Sequence, residues 1–155
     1  MHFFKRFFNR NKMLIQCPRC LGKGHVDTED IKRLGRELTW RPGSCAYCNG
    51  AGDVPADVVN KVSPGEAYLT VDLSQEERQR VLDGAPEAKA RMEEFKQHTD
   101  RVIKDIVTLH YVRKLDVEEI AELYLGSSSR FNVEGHAQKK KELMVYINKV
   151  ISRQN

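Results

Sequence analysis

The chain has 155 residues, 40% apolar and 31% charged, enough for one domain or for a small module with a helical unit. No run of 18 apolar residues occurs, so no membrane-spanning helix is expected. The basic start also lacks the apolar stretch and cleavage site of a secretory signal. The expected location is therefore cytoplasmic, where thiols stay reduced. The net charge of +4 is unevenly placed. Residues 1–53 hold ten Lys/Arg against five Asp/Glu, residues 54–129 ten against fifteen, and residues 130–155 six against two. Basic ends around an acidic middle suit contact with a polyanion, or docking of the ends on the middle.

Residues 1–12 place Phe3, Phe4, Phe7 and Phe8 among Lys5, Arg6, Arg10 and Lys12. As a helix, this spacing puts four rings on one face, as a membrane-surface or partner-docking segment would. So short a helix is marginal in water, which favours a frayed terminus or rings that cover the following module. Residues 13–16 read as a strand. Thr28 to Trp40 read as a helix capped by Thr28, with Ile31, Leu34 and Leu38 at helical spacing and Pro42–Gly43 as its stop.

Between these elements stand two CxxC pairs, Cys17-Pro-Arg-Cys20 and Cys45-Ala-Tyr-Cys48, separated by 24 residues. Two residues between cysteines let both sulfurs of a knuckle reach one ion, and two knuckles complete a tetrahedral thiolate shell. Such a shell is closed, so one structural Zn2+ is expected and not a catalytic one. Each pair continues as x-Gly-x-Gly, with Gly22 and Gly24 after the first and Gly50 and Gly52 after the second. These glycines allow a sharp turn at positive φ that aims backbone N–H groups at the sulfurs. A redox CxxC lacks its usual βαβ context here, and His25 is expected at the surface.

The two CxxCxGxG repeats over about residues 15–54 resemble the cysteine-rich domain of DnaJ co-chaperones. In that family four such repeats bind two zinc ions, and the domain helps hold non-native polypeptides. Two repeats imply one site, and the insert between them departs from the family pattern. The J-domain is missing: His98-Thr99-Asp100 carries Thr where its signature has Pro and lies within a helical stretch. The resemblance thus implies binding of non-native polypeptide or a protein partner, without stimulation of a chaperone ATPase.

Residues 55–73 hold Pro55, Pro64 and Gly65 and read as a linker with at most one short strand or helical turn. From Ser74 the chain reads as helical. Ser74 to Glu77 form a capping box, Gly84 is a stop, and Pro86 suits the first turn of a long helix to about Lys114. Met92, Phe95, Thr99, Val102, Ile106 and Leu109 form its packing seam. Asp116 and Glu119 open another helix, with Leu115 and Ile120 placed for a hydrophobic staple. Leu143, Met144, Ile147, Val150 and Ile151 mark one face of the last.

Residues 106–150 resemble a sigma-factor region-4 helix-turn-helix, through Glu119-Ile120-Ala121 after a long helix. The connection Leu125 to Phe131 is longer than that motif has. The resemblance implies a nucleic-acid-binding regulator. Its contacts would come from Arg130, Gln138, Lys139, Lys140 and Lys141, with His136 beside them. No phosphate loop, HExxH or nucleophile elbow occurs, so no enzyme is expected. The expected architecture is a small zinc-knuckle β module plus an all-α helical bundle. A basic aromatic segment at 1–12 precedes the module at 13–54, and a linker at 55–73 leads to helices at 74–153.

Overall fold

The computed structural model describes residues 12–126 and 133–154. These form six helices and two small antiparallel sheets, and fall into two compact units divided between Glu93 and Glu94.

In the first unit, β1 (Leu14–Gln16) pairs with β4 (Asp53–Pro55), and β2 (His25–Val26) with β3 (Gly43–Ser44). The register sets Ile15 against Val54 and His25 against Ser44. One pair therefore nests inside the other: β1 enters the first cysteine knuckle and β2 leaves it, while β3 enters the second and β4 leaves it. Such short ladders supply few hydrogen bonds and cannot stand alone.

The insert between the knuckles is less helical than its pattern predicts. Helix α1 (Thr28–Arg33) is capped by Asp27 instead of Thr28. Asp27 Oδ1 accepts from the Asp30 N–H at 2.9 Å, and Asp30 Oδ2 accepts from the Asp27 N–H at 3.2 Å. Thr28 becomes the first helical residue because an Asp–Asp box one step earlier satisfies two end donors at once. Gly35, at φ +65°, ends the helix, and Arg36 to Trp40 make a separate turn.

Residues 55–73, expected as a linker, are part of the core. Helix α2 (Ala56–Lys61) follows β4 directly, and Val58, Val62 and Leu69 are buried with Val26, Ile31, Tyr47 and Val54. Helix α3 (Gln75–Leu82) and the start of α4 (Pro86–Val107) add Val81, Leu82 and Ala88 to the same cluster. A metal knuckle has little apolar surface of its own. Each buried Val or Leu side chain from 58 to 82 contributes about 1.5–3 kcal/mol of burial, and the compact unit extends to residue 93 rather than ending near 54. Ser74 caps α3, accepting from the Glu77 N–H at 3.1 Å. The Glu77 carboxylate does not reach back to complete the box. It takes both Arg91 N–H groups instead, at 2.8 and 2.9 Å.

In the second unit, α4 ends at Val107 and not near Lys114. A π-helical turn follows over Thr108–Val112, and Lys114 sits at φ +61°. Residues Asp116 and Glu119 cap α5 (Val117–Leu125) with a complete box, both bonds 2.8 Å, and Gly126 closes it. Helix α6 (Val133–Ser152) packs on α5, and Ile106, Ile120, Ala121, Ile147 and Val150 are fully buried. Among the described residues no helix is long and apolar enough to cross a membrane.

Candidate metal centre

The repeated sequence produces a repeated backbone. Leu21, Gly22 and Gly24 have φ of 51, 83 and 75°, and Asn49, Gly50 and Gly52 have 51, 80 and 86°. Each turn brings a glycine N–H back to the second cysteine of its own knuckle: Gly24 donates to Cys20 Sγ and Gly52 to Cys48 Sγ, both at 3.2 Å. Gly22 and Gly50 supply the bend that makes this possible.

The two repeats also lock each other. The Cys17 N–H donates to Gly52 O at 2.8 Å and the Cys45 N–H to Gly24 O at 3.0 Å. The approach is close enough that a Cβ on Gly24 would lie 2.5 Å from Gly50 O, and one on Gly52 would lie 2.6 Å from Gly22 O. Both glycines are thus required for space as well as for conformation.

All four sulfurs lie within 4.8 Å of one another, and all four cysteines are buried. Cys17 and Cys45 are 3.8 Å apart across the knuckles, as are Cys20 and Cys48. A tetrahedron with metal–sulfur bonds of about 2.3 Å has sulfurs about 3.8 Å apart, whereas a disulfide would need about 2.05 Å. The donor set therefore fits a metal ion, and the thiols are free. The Gly24 and Gly52 N–H groups aimed at sulfur suit ion-bound thiolates, whereas burial by itself opposes the charged form.

Without a cation the cluster ionises unevenly. The Cys17 thiol is drawn down to about 5, first by its neighbour Cys45 and then, against the cost of burial, by the Cys20 and Arg19 N–H groups. Cys45 is pushed up by the Cys17 sulfur and by burial, and Cys20 is pushed up by burial. Thiolates this close to one another repel. A divalent ion is what lets all four carry charge together.

One buried cation faces this centre. Arg19, between the first two ligands, is 2% exposed. Its Nε donates to Pro64 O at 2.7 Å, Nη1 to Leu69 O at 2.6 Å and Nη2 to Glu66 O at 3.0 Å. Its guanidinium carbon lies 4.1 Å from the Trp40 ring centre and 5.4 Å from that of Tyr47. Burial lowers its pKa to about 10, opposed by attraction to Cys45 and Cys17. Tyr47 holds the equivalent place in the second knuckle and donates to Val62 O at 2.6 Å, and burial raises its own pKa to about 12. Arg19 and Tyr47 were not singled out by spacing rules. Their shared position before the second cysteine of each pair is the signal that could have found them.

His25 lies on β2, exposed, with Nδ1 3.1 Å from Lys23 O, and is no part of the sulfur cluster. His98-Thr99-Asp100 falls inside α4. Of the residues considered for nucleic acid, Lys140 is committed to α5, its Nζ 2.7 Å from Glu118 and 2.6 Å from Glu122. Gln138 donates to Glu142 at 2.7 Å, while Lys139 and Lys141 are exposed. Arg130, Phe3, Phe4, Phe7 and Phe8 lie outside the described residues. The chain matches no protein-family model, and no curated protein or solved structure is significantly similar to it.

Proposed function

We propose that the chain is a zinc-stabilised, non-catalytic binding protein of the cytoplasm that engages non-native polypeptide or a protein partner. The observation that carries this reading is the cluster of four buried cysteines with sulfurs within 4.8 Å of one another and Gly24 and Gly52 N–H groups on two of them. Cys17, Cys20, Cys45 and Cys48 hold one Zn2+, whose chemistry is to supply charge and geometry to a unit with little regular structure. Four sulfur ligands leave no position for water or substrate, so the ion serves folding. The polypeptide-binding part of the reading rests on the resemblance of the two CxxCxGxG repeats to the DnaJ cysteine-rich domain.

The test is aggregation suppression of a chemically denatured reporter by the zinc-loaded protein, beside Cys45→Ser. Suppression by the loaded protein that disappears in the variant is expected. No suppression by the loaded protein would sink the reading. A second reading, nucleic-acid binding through α6, draws on the exposed Lys139 and Lys141. It predicts binding that weakens steeply with salt and is lost in the Lys139→Ala/Lys141→Ala double variant. It draws less support from Lys140, which is paired with Glu118 and Glu122.

A further inference from the structure

Residues 62–69 have no regular secondary structure, yet Leu69 and Val62 are buried. Buried carbonyls need donors, and a segment without a ladder must find them elsewhere. Here they come from four side chains of the knuckles and the insert. Tyr47 serves Val62 O, Arg19 serves Pro64, Glu66 and Leu69, Arg36 serves Gly65 at 2.6 Å, and the Trp40 indole N–H serves Ala67 at 3.1 Å. Three of these six carbonyls hang on one guanidinium.

That guanidinium is fixed from the metal side. Its Cα sits between Cys17 and Cys20, and the Arg33 side chain holds its own carbonyl at 2.6 Å. Its described partners are carbonyls and rings, with no carboxylate in an ion pair. A divalent ion with four thiolates carries a net charge of −2, the counter-charge that a buried guanidinium wants. The far end of the segment then has a structural consequence. Leu69, Val71 and Asp72 form one wall of a cleft whose other wall is Trp40 and Arg41, with the Arg41 and Asp72 side chains paired at 2.5 Å across the rim.

We propose that Arg19 is a positioning residue through which the loaded metal centre holds residues 62–69 in place, so that the cleft beside Trp40 forms only with the ion bound. The proposal rests on the metal reading above and adds to it a route from the ion to a surface. Lysine cannot replace the planar fork, because a point charge does not reach three carbonyls in fixed directions. Linkage also makes the effect reciprocal: if the ion steadies the segment, the segment steadies the ion by the same factor.

The test is amide exchange of the full chain, wild type and Arg19→Lys, at saturating metal. Occupancy is read from Co2+ absorption, and Trp40, the only tryptophan, reports by emission and acrylamide quenching. In Arg19→Lys we expect exchange at 62–69 to rise at least tenfold, with knuckle amides still protected, Trp40 emission shifted red, and Co2+ affinity lowered by a similar factor. Wild-type exchange at 62–69 in the saturated variant would overturn the proposal. So would a variant that cannot be saturated, since Arg19 would then hold the centre and not the segment. A wild-type chain that takes up no ion is a different failure, because it removes the metal reading itself.

Discussion

The two units hold themselves together by opposite means. Up to Glu93, backbone groups are satisfied by side chains distant in sequence: Arg19, Arg36, Trp40 and Tyr47 serve carbonyls 15 to 50 positions away. From Glu94, among the described residues, caps and backbone bonds are mostly local, and helices meet through a stripe of buried aliphatics at Ile106, Ile120, Ile147 and Val150. Long-range ties cost loop-closure entropy before any of them forms. A metal ion on the four sulfurs would offset that cost, since one ion gathers four points of the chain at once. A local helical unit has no such need.

The comparison breaks first if the metal is not the organiser of the first unit alone. Cys45→Ser, or removal of the ion, should abolish the tertiary structure of that unit. Structural zinc contributes about 10–16 kcal/mol of apparent binding free energy, comparable with the whole stability of a domain. Near-ultraviolet circular dichroism and Trp40 emission should report the loss, while amides of α5 and α6 keep their protection. Collapse of α5 and α6 together with the knuckles would mean that the two units are not separate in stability.

A pair of glycines sharpens the same point. Gly24 and Gly35 both lie at positive φ, 75 and 65°, so alanine is strained at either. At Gly35 nothing lies within 4 Å of the new Cβ, and the expected cost is about 1 kcal/mol. At Gly24 the Cβ meets the Gly50 carbonyl, which cannot move without opening the knuckle, so the cost should reach about 4 kcal/mol. Denaturant midpoints of the zinc-loaded variants would measure both. Equal effects would show that the interlock of the repeats carries no weight.

These regions also differ in how far residue patterns reveal them. The sulfur cluster and its glycines follow from spacing, because CxxCxGxG is a local motif with a local geometry. The box at Asp116 and Glu119 and the buried face of α6 follow for the same reason. The segment 62–69 does not, since its Pro64 and Gly65 mark a chain without a ladder and say nothing of the Arg19 fork that collects it. The end of α4 is not legible either: the apolar seam continues through Leu109, and nothing in it signals the wider turn that begins at Thr108. Periodicity reads faces, whereas a buried guanidinium tied to carbonyls has no period.

Within the second unit, local rules should set the size of each effect. Asp116→Ala removes one half of a complete capping box and should cost about 1 kcal/mol in the melting of α5 and α6. Co2+ affinity of the first unit should stay within about twofold, because no long-range tie runs through Asp116. A change in metal affinity would contradict the division between the units.

The smallest effect concerns Lys140 and pH. Lys140 holds the Glu122 carboxyl below its ordinary value of 4.5, and Glu118 and then Glu122 in turn raise the Lys140 ammonium. For a carboxyl whose pKa is lowered by folding, the stabilisation is complete above about 4.5 and fades as pH falls through the lower folded value. The pair is partly exposed, with Glu122 at 49%, so salt should screen it. Lys140→Met should therefore flatten the acid side of the α5–α6 thermal midpoint at low salt and change little at high salt. An unchanged acid limb would mean that Lys140 is not tied to α5 in solution. Its charge would then stand with those of Lys139 and Lys141 on α6, and the nucleic-acid reading would gain a residue now paired with Glu118 and Glu122.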